Sequence, residues 1–188
     1  KKLKIMKENK IKQENFVLTV ENLNSPVIIT VPHGGIKNNA GSWLDLLFEK
    51  RVKNPYPLKN IIKGEKVVIG GDTNIMHIVA DIMKIYPANL VVGLLPREFV
   101  DYNRFVPKVA YADKSIRKYY DAYHNSIKEI ITKLESREEG DGIKLLDFHG
   151  FGKQPSNAVE YDIILGTNNG ESSPNNINRT LYHCLKDD

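Results

Sequence analysis

One cysteine, Cys184, stands among 188 residues, so an internal disulfide and a cysteine-rich zinc module are both excluded. That scarcity fits a reducing compartment. Long apolar runs are missing as well. No stretch reaches the roughly 18 residues of a membrane-crossing helix, so no membrane association is expected. The lysine-rich start KKLKIMKENKIKQ lacks the apolar segment that follows in a signal peptide, which makes a cytoplasmic location the expectation. Net charge is +4, but the lysines are scattered among Glu and Asp without a basic patch, so nucleic acid is not an expected partner. What remains, at 41% hydrophobic and 27% charged, is the composition of an ordinary globular protein. Its length predicts one domain spanning 1–188.

Apolar periodicity supplies the elements. Phe16–Val20 and Val27–Val31 read as short strands separated by a turn-like segment, the second apolar on both faces as a central strand would be. Val67–Ile69 is a third, ending in Gly70, Gly71 and Asp72. From Thr73 to Tyr86, Ile75, Ile78, Val79, Ile82 and Ile85 recur at helical spacing. Leu90–Leu95 reads as a buried strand, Lys114–Leu134 as the longest helix, Ile143–Leu146 and Tyr161–Leu165 as further strands, and 178–185 as the start of a last helix. Strands alternating with helices predict an α/β fold with a mixed, largely parallel central sheet.

Polar residues gather just past the ends of four of these strands: His33, Asp72, the segment Arg97–Arg104, and Asp147 with His149. Open α/β sheets place ligand sites at such C-terminal strand ends. Two histidines and a carboxylate can hold zinc with one position left open, and His33, Asp72 and His149 each lie next to glycine, where the backbone can bend. Hydrogen-bonded loop histidines are the plain alternative. His77 and His183 sit in helical patterns and read as structural, whereas His124 lies in a polar stretch beside Asp121 and Tyr123. Asp147 either orients the His149 ring through its second nitrogen or anchors Arg97 or Arg104. Those two arginines and Asn103 are fork-shaped donors suited to a carboxylate or an oxyanion, and Asp101 is placed to pair with one arginine. A solvated salt-bridge cluster is the alternative for this segment.

In order, VPHGG (31–35), GGDTN (70–74), PREFVDYNR (96–104), DAYH (121–124), LLDFHG (145–150) and DIILGT (162–167) resemble the motifs of the N-formylglutamate amidohydrolase family. The likeness spans about residues 26–175. It implies a zinc-exopeptidase-like fold, a three-layer α/β/α sandwich. It further implies His33, Asp72 and His149 as Zn2+ ligands, Asn103 and Arg104 as holders of a substrate carboxylate, and Arg97 as the stabiliser of a developing oxyanion. Asp101, Asp147 and His124 would support them. The implied reaction is hydrolysis, by water activated at the metal, of the amide of a small carboxylate-bearing N-acyl amino acid such as N-formylglutamate.

Two features depart from the family. Gly34 follows His33 where the family usually has Ser. Family members also continue past the Leu-Gly strand end into a segment with a glutamate that serves as general base, whereas this sequence ends at Asp188. Glu160 and Glu171 stand in no matching motif, so the expected base lies beyond Asp188 or is absent. Three further readings follow: a peptide or cell-wall amidase of the same fold, a non-catalytic metal- or ligand-binding relative, and an unrelated metal hydrolase such as a phosphoesterase.

Overall fold

The computed structural model describes residues 10–35, 72, 75–97, 99–105, 110, 114–137, 142–150 and 166. The chain divides into the units Lys1–Gly152 and Lys153–Asp188, and of the second only Gly166 is among them. The expected strands at 67–69 and 161–165 and the helix at 178–185 lie outside the described residues, as do Glu160, Glu171, His183 and Cys184.

Among the described residues, five strands and two α-helices follow one another as β1 (Lys10–Glu14), β2 (Val17–Glu21), β3 (Val27–Val31), α1 (Ile75–Ile85), β4 (Asn89–Gly93), α2 (Arg117–Glu135) and β5 (Lys144–Asp147). The strands form one mixed sheet in the order β1-β2-β4-β3-β5. The fold is therefore α/β. β3 pairs parallel with β4 and with β5, while β1–β2 and β2–β4 are antiparallel. Among the described residues the sheet is thus evenly mixed rather than largely parallel. One of the two antiparallel pairings is β2 against β4; the other is a hairpin that was not expected, because β1 reads KIKQE and carries no apolar alternation. Its turn is built by Asn15 and Phe16, both at positive φ (51° and 57°), as a two-residue hairpin requires. Asn tolerates that conformation; Phe does not readily, but its ring is buried edge-on against Tyr119 at 5.1 Å, which offsets the backbone cost.

β4 is buried at every position, and β3 at all but its first. Both lie inside the sheet, and apolar residues pack against each face of it. Leu18, Val20, Ile29, Val31, Leu90 and Val92 pack with Ile75, Val79, Ala80 and Met83 of α1. Val17, Ile28 and Val91 pack instead with Tyr123 and Ile130 of α2. The alternation of strand side chains sorts neighbouring residues to these two clusters. Each fully buried Val or Leu contributes roughly 1.5–3 kcal/mol. The buried stripe of α1 is rotated from the expected one: Met76, Ala80 and Met83 face the sheet, whereas Ile78 and Ile85 are exposed, Ile85 at 73%. Ala80 has no bulk to hold the helix off the sheet, so the contact forms around it. Among the described residues, no helix is long and apolar enough to cross a membrane.

Candidate metal centre

The topology delivers three chain segments to one edge. β3, β4 and β5 run parallel, so the residues after Val31, Gly93 and Asp147 all emerge at the same end of the sheet. The chain leaves β3 for β4 on one side and returns to β5 on the other, which makes β3 and β5 the flanks of a switch point. His33 follows β3 by two residues and His149 follows β5 by two. Two glycines let these segments close up. A Cβ on Gly35 would lie 2.8 Å from the Leu95 backbone, and a Cβ on Gly93 would run into the Tyr102 ring. Tyr102 is thereby sunk beside β4, fixing the chain on either side of it, Asp101 and Asn103.

His33, Asp72 and His149 come together, each offering a ligand atom within 4.8 Å of the others, close enough to hold a metal ion. His33 Nδ1 lies 3.5 Å and His149 Nδ1 3.3 Å from Asp72 Oδ2. Tetrahedral zinc, with bonds of about 2.0–2.1 Å, sets its ligand atoms roughly 3.3 Å apart, so both separations suit a shared ion. Asp72 is held by its backbone, whose amide donates to the His33 carbonyl at 3.1 Å, and by the Gly150 amide, which donates to Oδ2 at 2.9 Å.

The outer nitrogens of both rings are already engaged. His33 Nε2 is 2.9 Å from Asp101 Oδ1, and His149 Nε2 is 3.1 Å from Asp147 Oδ2. A carboxylate only accepts, so each Nε2 carries the proton and each Nδ1 is left to face Asp72. His33 Nδ1 is buried with no hydrogen-bond partner. Bare nitrogen lone pairs against a carboxylate oxygen repel, and a cation between them removes the conflict. At His149 a proton does so: hydrogen bonding to Asp147 and then to Asp72 raises its pKa to about 9. Burial opposes the charge on Asp72, but the His149 and His33 rings and the Gly150 amide outweigh it and hold that carboxyl well below the usual range. A divalent ion would satisfy both rings and Asp72 at once. The donor set fits such an ion, and each imidazole has the carboxylate partner that metal-bound histidine commonly has.

Asp101 does more than pair with one arginine. Its Oδ1 accepts from His33 Nε2 and from the Asn103 amide (3.1 Å), while Oδ2 accepts from Arg97 Nε at 3.0 Å and Arg104 Nε at 3.2 Å. Burial works against its charge, yet His33 and Arg97 leave its pKa lowered. Both arginines are exposed beyond these Nε contacts. The Asn103 carboxamide lies against the His149 ring, its nitrogen 3.2 Å from Nε2; with Nε2 protonated toward Asp147 this is a close approach of the arginine-bearing loop to the second histidine and not a hydrogen bond. Among the described residues Asp147 meets His149 and not an arginine.

His124 stands apart from the three clustered residues. Its Nε2 is 3.0 Å from the Tyr102 carbonyl, and burial lowers its pKa, so the neutral ring donates that bond. One helical turn earlier, the Tyr120 hydroxyl donates to the Arg104 carbonyl at 2.8 Å. α2 thus grips the loop on both sides of Asn103. Tyr120 was not singled out in the sequence, nor was Thr30, whose hydroxyl donates to Asp147 Oδ1 at 2.7 Å. A Thr in the apolar strand VIITV, in register with Asp147, was the available signal for the latter. His77 is exposed on α1.

No family model matches the chain, and no curated protein or solved structure matches it either.

Proposed function

We propose that the chain is a zinc-dependent hydrolase that cleaves the amide bond of a small, carboxylate-bearing N-acyl amino acid of the N-formylglutamate type. The observation that carries this reading is the paired arrangement at His33 and His149: each Nε2 held by a carboxylate, each Nδ1 turned on Asp72. Zinc bound there supplies Lewis-acid polarisation and lowers the pKa of water toward neutrality. Further support comes from the order of the six motifs and from helices packed against both faces of the sheet, as a three-layer zinc-exopeptidase-like sandwich requires.

The chain's own residues divide the remaining work. Arg104 and Asn103, on the loop gripped by α2, hold the substrate carboxylate, the guanidinium through its exposed terminal nitrogens. Arg97, anchored through Nε alone, has the rest of its fork free to stabilise negative charge on the scissile carbonyl oxygen. Asp101 and Asp147 keep the two rings in the tautomer that presents Nδ1.

Metal analysis of purified protein, followed by hydrolysis of N-formylglutamate and a panel of other N-acyl amino acids, tests the reading. One zinc per chain and turnover that both vanish in His149→Ala are expected. Zinc without turnover on any amide would point to a non-catalytic metal-binding domain, and no zinc under zinc-replete conditions would remove the metal reading altogether.

A further inference from the structure

Asp101 is the one described carboxylate that touches both halves of the site. Through Oδ1 it holds the Nε2 proton of His33, the more deeply buried ring, and through Oδ2 it holds both Arg97 and Arg104. Four donors converge on these two oxygens when the Asn103 amide is counted. Asp147, its counterpart at His149, meets neutral Thr30 besides the ring, and no arginine among the described residues.

We propose that Asp101 is a positioning residue that couples the metal site to the arginine pair, so that a metal ion and an anion bind with positive cooperativity. This rests on the reading of His33, Asp72 and His149 as metal ligands, and it concerns binding rather than hydrolysis. The physical reason lies in how one carboxylate shares its charge. With no anion present, two guanidinium groups draw on Oδ2 and weaken Asp101 as an acceptor for His33. An anion that engages the exposed ends of the guanidinium groups neutralises part of their charge. Asp101 then accepts more strongly from Nε2–H, the imidazole becomes a better donor at Nδ1, and a metal ion binds more tightly. The reverse holds by linkage. A metal ion on Nδ1 makes Nε2–H the stronger donor, takes up more of the Asp101 charge, and leaves the arginines freer for an anion. In substrate terms, the carboxylate that docks on Arg104 tightens the metal site as it arrives.

The test measures zinc affinity of the full chain in chelator-buffered solutions, without and with saturating sulfate, at constant ionic strength. Sulfate is a good guanidinium ligand and a poor zinc ligand. Sulfate should tighten zinc binding by ~5–10-fold, within the usual range of coupling between sites. In Asp101→Asn, which still accepts from His33 but carries no charge to share, that factor should fall below about twofold. A factor unchanged in Asp101→Asn, or no effect of sulfate on the unaltered chain, would overturn the proposal; the first of these would assign the coupling to direct attraction through space. A second readout does not depend on the variant folding. In the zinc-loaded chain, the His33 Nε2 proton resonance should move downfield as sulfate is added, and a resonance that stays fixed at arginine saturation contradicts the coupling. Cooperative zinc and sulfate binding without amide hydrolysis would uphold this proposal and sink the proposed activity. Hydrolysis of N-formylglutamate with zinc affinity indifferent to sulfate would do the reverse.

Discussion

The two histidine–carboxylate pairs use the same geometry in different surroundings. On the β3 side, His33 is 2% exposed and its carboxylate is divided among a ring, an amide and two arginines. On the β5 side, His149 is 35% exposed and, among the described residues, Asp147 answers to the ring and to the Thr30 hydroxyl. The comparison teaches that ring orientation and ring basicity are set separately. Both carboxylates fix the tautomer, but of the two Asp147 keeps its charge largely for its histidine, and the pKa of His149 is lifted to about 9. The β3 side is the rigid, shared anchor, and the β5 side is the proton-responsive one.

Breaking each ring gives the largest effects. His33→Ala should abolish metal binding and also cost the fold about 2–5 kcal/mol, because it empties a packed position under the sheet edge. His149→Ala should abolish metal binding at a smaller packing cost than His33→Ala, and its cost to the metal-free fold should shrink as pH rises toward 9, where the ring's protonation no longer stabilises the chain. Denaturant unfolding beside metal analysis checks both.

Breaking the carboxylates sharpens the contrast. Asp101→Asn and Asp147→Asn should each weaken zinc binding by about 10–100-fold. Only Asp101→Asn should also change KM for a carboxylate substrate, because only Asp101 meets the arginines. Among the arginines, Arg104→Ala should act mainly on KM and Arg97→Ala mainly on kcat.

A smaller effect, graded with pH, separates the sides again. In metal-free protein the raised pKa of His149 means that its protonation stabilises the fold below its ordinary value of 6.5, and this contribution is lost as pH rises through about 9. Asp72 has the opposite sign: its contribution is present above its ordinary value of 3.8 and disappears as pH falls toward its depressed folded value. Zinc must displace the proton on His149, so its apparent affinity should rise about tenfold per pH unit up to about pH 9 and then level off. Asp147→Asn should move that plateau to lower pH. The smallest change is Thr30→Val, which removes one hydrogen bond to Asp147 and should cost about 1 kcal/mol in thermal or denaturant unfolding.

Much of the framework was legible because apolar strands end abruptly in polar residues. Val27–Val31 leads to His33 and Ile143–Leu146 leads to His149, and the parallel pairing of β3 with β5 then sets the two histidines side by side. The hairpin strand β1 was hidden because an edge strand exposed to water needs no apolar alternation, and Asn-Phe is an uncommon turn pair. The rotation of α1 was hidden too, since Met and Ala carry the contact while two isoleucines face water. Local spacing also could not reveal that Asp101 reaches His33, 68 residues away in sequence. Its neighbours Arg97 and Arg104, at helical spacing on either side, are the partners that proximity in the chain suggests, and they are only half of its environment.

The central claim is that both histidines present Nδ1 to a metal ion while carboxylates hold their Nε2 protons. Nitrogen-15 NMR of the imidazole rings, with zinc added to one equivalent, tests it directly. His33 and His149 should both show a metal-bound Nδ1 and a protonated Nε2, with His124 and His77 unchanged. A metal-bound Nε2 with the proton on Nδ1 in either ring, or no shift at either, would contradict the account.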